Sequence, residues 1–346
     1  MSEELSIFQS RGNSDIVSTV RKMFIEQGDE KSLDRLKWQY LGPLGGAYIS
    51  LAHTTSGPTE GAAALYTAFP VQFLVHGQKF MAVQSFDTLT LEKFRGQGLF
   101  TILANNLYEA LQQQNIDLVF GIPNGSSVKG FSKYLNWTLI DPLPMLARPI
   151  GLRYLLVRAK MRTPRVSDFR LTTQDSCIEE VGSCPDDIDD LFSRVGSSEY
   201  VGVVRNKEYL DWRLKRPGAT YRLFTYRSST GELLAFGAYE LVLKHGCSLG
   251  YVMELMHDPS QPHASRSLLR SMTAEMKSRG ADLIFAWSMP KSPSRRSFKS
   301  NLFFPFPQWM RPIELHLGYR KFSKSISDSD LGRDDWYISY FDSDTV

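Results

Sequence analysis

Cysteine is scarce in this sequence: Cys177, Cys184 and Cys247 are the only three in 346 residues. They lack metal-ligand spacing and leave one thiol unpaired, which argues against a disulfide framework or metal site and for a reduced, cytoplasmic protein. No apolar run approaches the ~20 residues that span a bilayer. The opening Met1-Ser2-Glu3-Glu4 is acidic where a targeting segment is basic, so no integral membrane segment is expected. A strong excess of one charge is also missing. The net charge is +3, which argues against nucleic acid as a partner. Two phosphate loops are absent as well. No Gly-x4-Gly-Lys-Ser/Thr string occurs, and a dinucleotide fingerprint fails because Thr101 stands where a third glycine belongs. Asp117 opens the next strand instead of ending it, so the ribose-binding acid is misplaced too.

What is present centres on residues 81–111. Met81, Val83, Phe86, Leu89 and Leu91 read as a strand, Phe94-Arg95-Gly96-Gln97-Gly98 as a tight loop, and Phe100, Leu103, Leu107 and Leu111 as a helix. Two glycines permit positive φ, and the helix start presents unpaired N–H groups, so this junction forms a cradle for a phosphate or pyrophosphate. Arg95 adds a cation beside it. Upstream, the spacing predicts an amphipathic helix over 16–27 and strands over 47–52, 63–69 and 71–75.

The length suggests two domains, each able to bury its own core. Leu210-Asp211-Trp212 and Pro217 repeat Leu36-Lys37-Trp38 and Pro43 at a separation of 174 residues, and Asp282-Leu283-Ile284-Phe285 echoes Asp117-Leu118-Val119-Phe120. Two echoes in the same order argue for a duplicated unit. The division expected is a first domain at 1–150, a basic linker at 151–167 and a second domain at 168–346. Residues 142–167 contain Arg148, Arg153, Arg158, Lys160, Arg162 and Arg165 without an acid, a pattern of a linker helix with a solvated positive face. The second copy has lost the loop: His257-Asp258-Pro259-Ser260-Gln261-Pro262-His263 lacks glycine, and its prolines delete N–H donors. Packing, acceptor binding or homodimer formation remains as its role.

Arg95-Gly96-Gln97-Gly98, between a strand and a helix, resembles the coenzyme A pyrophosphate loop of the GCN5-related N-acetyltransferase (GNAT) superfamily, Arg/Gln-x-x-Gly-x-Gly/Ala, with Phe100 at the last position. Asp117-Leu118-Val119-Phe120-Gly121 resembles its fifth strand. Pro123-Asn124-x-x-Ser127 resembles the turn that contacts the cofactor arm, and Phe131-Ser132-Lys133-Tyr134-Leu135-Asn136-Trp137 its Phe-Tyr-x-x-Leu-Gly-Phe. The resemblance implies an α/β fold of the α+β kind, built as tandem GNAT-like domains, each a mixed, mostly antiparallel central sheet flanked by helices. It implies acetyl-CoA or a longer acyl-CoA as co-substrate, held by Leu89, Leu91, Arg95, Gly96, Gln97, Gly98, Leu99, Phe100, Asn124 and Ser127. By the same resemblance Phe86 to Leu91 lie beside the acyl carbonyl.

Asp87 is the first candidate for orienting or deprotonating the acceptor amine, with Thr90 beside it. The two differ in parity and would point to opposite faces of a regular strand, so a bulge is needed to bring them together. His53 is a second candidate base by its residue type, histidine being the usual proton acceptor near neutral pH. The superfamily's tyrosine acid is replaced by Ser132, a poorer acid. The ending Asp335-Trp336-Tyr337, with Asp342-Ser343-Asp344, resembles acyltransferases of bacterial surface-polysaccharide synthesis. That implies a nucleotide-linked amino sugar as acceptor, bound by Trp336, Asp342 and Asp344. Two other readings stay open: a non-catalytic acyl-CoA-binding module, and an aminoacyl transferase acting on peptidoglycan precursors.

Overall fold

A computed structural model describes residues 5–54, 61–140, 143–151, 154, 175–196, 200–244, 246–311 and 313–343. Most of the basic linker and Asp344 therefore lie outside the described residues. The first half runs β1 (Leu5–Arg11), α1 (Ser14–Glu26), α2 (Leu33–Tyr40), β2 (Tyr48–Thr54), β3 (Ala62–Val75), β4 (Gln78–Thr90), α3 (Leu99–Gln113), β5 (Leu118–Gly121), α4 (Val128–Tyr134), β6 (Thr138–Leu139) and β7 (Met145–Pro149). The second half runs β8 (Ile178–Val181), α5 (Ile188–Val195), β9 (Val201–Val203), α6 (Lys207–Leu214), β10 (Tyr221–Arg227) and β11 (Leu233–Lys244). It continues with β12 (Cys247–His257), α7 (Pro262–Ser278), β13 (Leu283–Trp287), α8 (Arg295–Ser300), β14 (Phe304–Pro305) and β15 (Gly318–Lys321).

Local chemistry explains most of these elements. Asn13 caps α1, its side chain accepting from the N–H groups of Asp15 and Ile16, each at 3.0 Å. Ile16, Val17, Val20, Met23 and Phe24 then fall on one buried face. In α3 the buried face is Leu99, Leu103, Ala104, Leu107, Tyr108 and Leu111. Burying each such leucine contributes about 1.5–3 kcal/mol. The strands expected over 63–69 and 71–75 are one, β3, which runs through Pro70. The proline falls between the end of the β2 pairing at Ala68 and the start of the β9 pairing at Phe73, where no ladder bond is lost.

The strands form an eight-stranded sheet, β1-β2-β3-β4-β5-β15-β6 with β9 on β3, and a seven-stranded sheet, β14-β7-β13-β12-β11-β10-β8. In each, one central pair is parallel, β4 with β5 and β12 with β13. The halves exchange strands: β7 leaves the first half to pair with β13, and β15 leaves the second to pair with β5. A division at residue 150 therefore cuts across both sheets; one hydrophobic cluster runs through both halves, from Ile16 to Phe341, and a second, from Leu146 to Phe303, gathers around α7. The extended apolar strands that carry the exchange are too short for a sequence pattern to assign to a sheet.

The duplication is legible in three dimensions. Trp38 and Trp212 stack at 4.9 Å between ring centres. Each indole N–H donates to the other's backbone carbonyl, at 2.7 Å from Trp38 and 2.9 Å from Trp212. Equivalent residues meeting reciprocally place a pseudo-twofold axis between α2 and α6. Likewise Asp117 accepts the Met81 N–H at 2.9 Å, and Asp282 accepts the Ser248 N–H at 2.8 Å. We expect Trp38→Phe to keep much of the stack yet strand the Trp212 carbonyl, destabilising the protein by about 1 kcal/mol in urea unfolding.

Candidate functional site

The parallel pairing of β4 with β5 covers only Ala82, Val83 and Gln84 against Leu118, Val119 and Phe120. Beyond it the strands part. A Cβ added to Gly121 would lie 3.2 Å from the Ser85 carbonyl oxygen, so Ser85 and Gly121 mark the root of the fork. From there to Thr90, β4 keeps its pairing with β3 and has an open edge toward β5 among the described residues.

The loop between β4 and α3 closes the fork's outer end. Gly96 (φ +80°) and Gly98 (φ +73°) are both left-handed, and neither has an atom within 4 Å of where a Cβ would stand. The successive N–H groups of Gly96, Gln97, Gly98, Leu99 and Phe100 meet no acceptor among the described residues. Their bonding capacity and the helix dipole converge on one exposed point, which favours an anion there. The Arg95 guanidinium is fixed beside it by the Gln27 side chain at 2.9 Å and the Thr90 carbonyl at 3.4 Å. Phe100 turns inward, its ring packing on Phe131 at 5.2 Å and Tyr66 at 6.0 Å. A large side chain at that position is thus accommodated while the backbone faces out.

Below the fork lies a dry polar chain. The Tyr66 and Tyr108 hydroxyls are 2.6 Å apart, and the Trp137 indole donates to Tyr108 at 2.9 Å. Burial pushes Tyr66 up to about 12, against the opposing pull of its bonds to Ser85 and Tyr108. It therefore stays protonated, and fully buried as it is, it braces β3 against α3. Asn124 orders the turn after β5, its side-chain oxygen accepting from the Ser127 N–H at 3.0 Å and hydroxyl at 3.1 Å. Ser132 donates back to the Val128 carbonyl at 3.1 Å, so its hydroxyl serves its own helix.

The bulge needed around Asp87 is present. Leu65 pairs with Leu89 and Thr67 with Phe86, so Asp87 and Thr88 oppose Tyr66 alone. Asp87 has φ +35°, a conformation that costs a non-glycine residue about 1–3 kcal/mol. The Thr67 hydroxyl pins it, donating to the carbonyls of Phe86 at 2.6 Å and Asp87 at 3.1 Å. The bulge turns the Asp87 carboxylate toward α1 and α2, where it is ion-paired with Lys31 and accepts the Tyr40 hydroxyl at 3.3 Å. Sequence reasoning missed Lys31 and Tyr40, which stand 56 and 47 residues from Asp87 along the chain.

The other candidates scatter. Thr90 ends β4 opposite Ala64, with Leu89 opposite Leu65, and the Leu91 N–H bonds the Ala63 carbonyl at 3.0 Å. His53 lies on β2, with β3 between it and β4, which removes it by about 10 Å from the strand bearing Asp87. Its ring faces Phe8 at 5.8 Å. Trp336 and Asp342 are each 1% exposed and so belong to the interior, a correction to their expected place on a sugar. The Trp336 indole bonds the Leu331 carbonyl at 3.2 Å, and Asp342 is ion-paired with Arg205. An aromatic and acidic ending resembles a sugar site in composition, but here it packs between the sheets.

The second copy's loop is spent on itself. The Asp258 carboxylate accepts the Ser260 N–H at 2.8 Å, and the Gln261 N–H bonds the Asp258 carbonyl at 2.9 Å. Burial pulls the adjacent His257 imidazole down to about 4, leaving it neutral near pH 7. The Asp258 carboxylate is ion-paired with Arg194 at 2.8 Å ahead of the helix, and Pro259 and Pro262 remove N–H donors there, so this loop is unsuited to a diphosphate.

No protein-family model matches the chain, and no curated protein matches it in sequence. Solved structures do match. A conserved protein of unknown function from Enterococcus faecalis, described as a probable N-acyltransferase, aligns with a TM-score of 0.62 at 13% identity, covering 92% of this chain and 73% of that one. Saccharomyces cerevisiae N-myristoyltransferase with bound myristoyl-CoA aligns with a TM-score of 0.59 at 14% identity, over 93% of this chain and 83% of that one. The same yeast enzyme with myristoyl-CoA and inhibitors gives 0.59 at 13% identity, over 93% and 80%. The chain thus has the fold of these structures, two mixed sheets flanked by helices, as the resemblance implied.

Proposed function

We propose that the protein is an acyl-CoA-dependent N-acyltransferase acting in the cytoplasm. The observation that carries this reading is the run of unpartnered N–H groups from Gly96 to Phe100 at the mouth of the fork between β4 and β5. Acyl-CoA would bring an acyl group already activated as a thioester. The loop N–H groups and Arg95 would hold its diphosphate. The open edge of β4 beyond Ser85 offers backbone N–H groups to an acyl oxygen, the kind of fixed donor that favours developing negative charge. Asp87, presented by its bulge, is the group suited to orienting an amine. No side-chain acid stands at Ser132, so most of the rate would come from positioning.

The acceptor we place first is the amine of a nucleotide-linked amino sugar in surface-polysaccharide synthesis, on the resemblance of the sequence. Since Trp336 and Asp342 are buried, we place the acceptor beside Asp87 instead. Incubating a panel of nucleotide-linked amino sugars with acetyl-CoA, medium-chain acyl-CoA and myristoyl-CoA is expected to give one product heavier by the acyl group in mass spectrometry. Failure of every acyl-CoA to bind in calorimetry would overturn the proposal. Because Ser132 replaces the tyrosine acid, the second reading is a non-catalytic acyl-CoA-binding module; binding without any acylated product would favour it.

A further inference from the structure

The two halves repeat one charged pair. Lys31 precedes Trp38 by the same count of residues as Arg205 precedes Trp212, and Asp87 follows Met81 as Glu254 follows Ser248. The reference residues are equivalent in space, the tryptophans through their reciprocal bonds and Met81 and Ser248 through the aspartates they meet. Both acids also lie at a bulge in the corresponding strand pair. In each half the cation meets the acid, Lys31 on Asp87 and Arg205 on Glu254, the latter at 2.9 Å. Lysine with aspartate and arginine with glutamate differ in length and shape, yet the pair recurs at one place in the fold.

The surroundings differ. Arg205 and Glu254 are both 0% exposed. Glu254 there receives the Tyr337 hydroxyl and, at 3.0 Å, the Ser339 hydroxyl, both from the chain's last segment. The second copy thus displays what such an ion-paired carboxylate does when polar chain lies on it: beside Arg205, which it shares with Asp342, it accepts neutral O–H donors in a buried site. In the first copy Asp87 also accepts one hydroxyl, from Tyr40 at 3.3 Å, but the side chains of Lys31 and Asp87 remain 23% and 11% exposed, at the strand that forms the open fork.

We infer that Lys31 and Asp87 form the acceptor end of the acyl-transfer site, with Asp87 taking an N–H or O–H of the substrate and Lys31 acting as a positioning residue. This rests on the acyl-transfer reading above. An ionised carboxylate is an acceptor only, so it orients donors. Because Lys31 matches its charge before substrate arrives, the site takes a neutral amine or hydroxyl in preference to an ammonium. The neutral amine is the form that can attack a thioester. With Lys31 removed, the carboxylate would hold the ammonium and keep the amine protonated.

The test has two arms on the full chain, with Lys31→Met and Lys31→Arg. In the first, carbon-13 NMR follows the Asp87 carboxyl through a pH titration without any acceptor, assigned by its loss in Asp87→Asn. The midpoint should rise by about one pH unit in Lys31→Met and stay in place in Lys31→Arg; an unmoved midpoint in Lys31→Met overturns the inference. In the second, acetyl transfer to glucosamine and to glycinamide as probe amines is measured against pH. For Lys31→Met, kcat should fall about tenfold at neutral pH and recover at high pH, with KM unchanged or lower, while Lys31→Arg follows the parent. An equal loss of kcat at every pH, or a parental profile, overturns it. Failure of the parent protein to bind acetyl-CoA removes the acyl-transfer reading itself and is recognised separately by calorimetry.

Discussion

Gly98→Glu is expected to abolish acyl-CoA binding. Residue 98 sits at φ +73° with nothing within 4 Å of its missing Cβ, so space is not the obstacle. The new carboxylate would enter the point where the N–H groups of Gly96 to Phe100 converge. Opposing like charges at a binding surface costs several kcal/mol, a weakening of about 100-fold or more in calorimetry. Gly98→Ala separates the causes, since it adds left-handed strain of about 1–2 kcal/mol without charge and should retain binding. Gln261→Glu, at the equivalent helix start in the second copy, should leave affinity unchanged. Unchanged affinity in Gly98→Glu would remove the loop from the site.

Arg205→Met is expected to be the most destabilising single change. Arg205 is fully buried, and its guanidinium serves Glu254 and Asp342 together with the Ser339 hydroxyl at 3.4 Å. Burial alone would pull its pKa down, but Asp342 and Glu254 among its neighbours outweigh this and hold it well above the usual value. Removing the cation leaves two buried carboxylates facing each other, and one oxygen of Asp342 already lacks a partner. Breaking a buried pair in this way costs about 3–5 kcal/mol, to be read as a lowered midpoint in urea. If the variant is too unstable to purify, Glu254→Gln offers a graded version, since it keeps shape and hydrogen-bonding capacity. A midpoint unchanged in both would show the network to be dispensable.

The parts of the candidate site legible in the sequence are those written in adjacent residues. Arg95-Gly96-Gln97-Gly98 carries its conformation locally, because glycine is what a left-handed turn before a helix requires. The Leu-x-Trp echo was readable because both copies keep the same contact at the pseudo-twofold. The bulge at Asp87 was suggested by the parity of Asp87 and Thr90 taken with the superfamily resemblance. What stayed hidden depends on distant parts of the chain meeting. Lys31 and Tyr40 reach Asp87 only because α2 and the segment before it fold across β4. Trp336 was expected against a sugar on the resemblance, yet Phe73, Phe120 and Tyr319 surround it. Sheet membership was equally invisible, for five residues at β7 and four at β15 carry no mark of which neighbour they will join.

That exchange explains why a copy without a serviceable loop remains in the chain. Sheet one completes its row of strands with β15 and sheet two with β7. Discarding the second half would bare the backbone of β5 beside the fork, an unsatisfied ladder prone to sticking to other chains. The loop-bearing half therefore owes its walls to its twin, and neither amounts to a free-standing module.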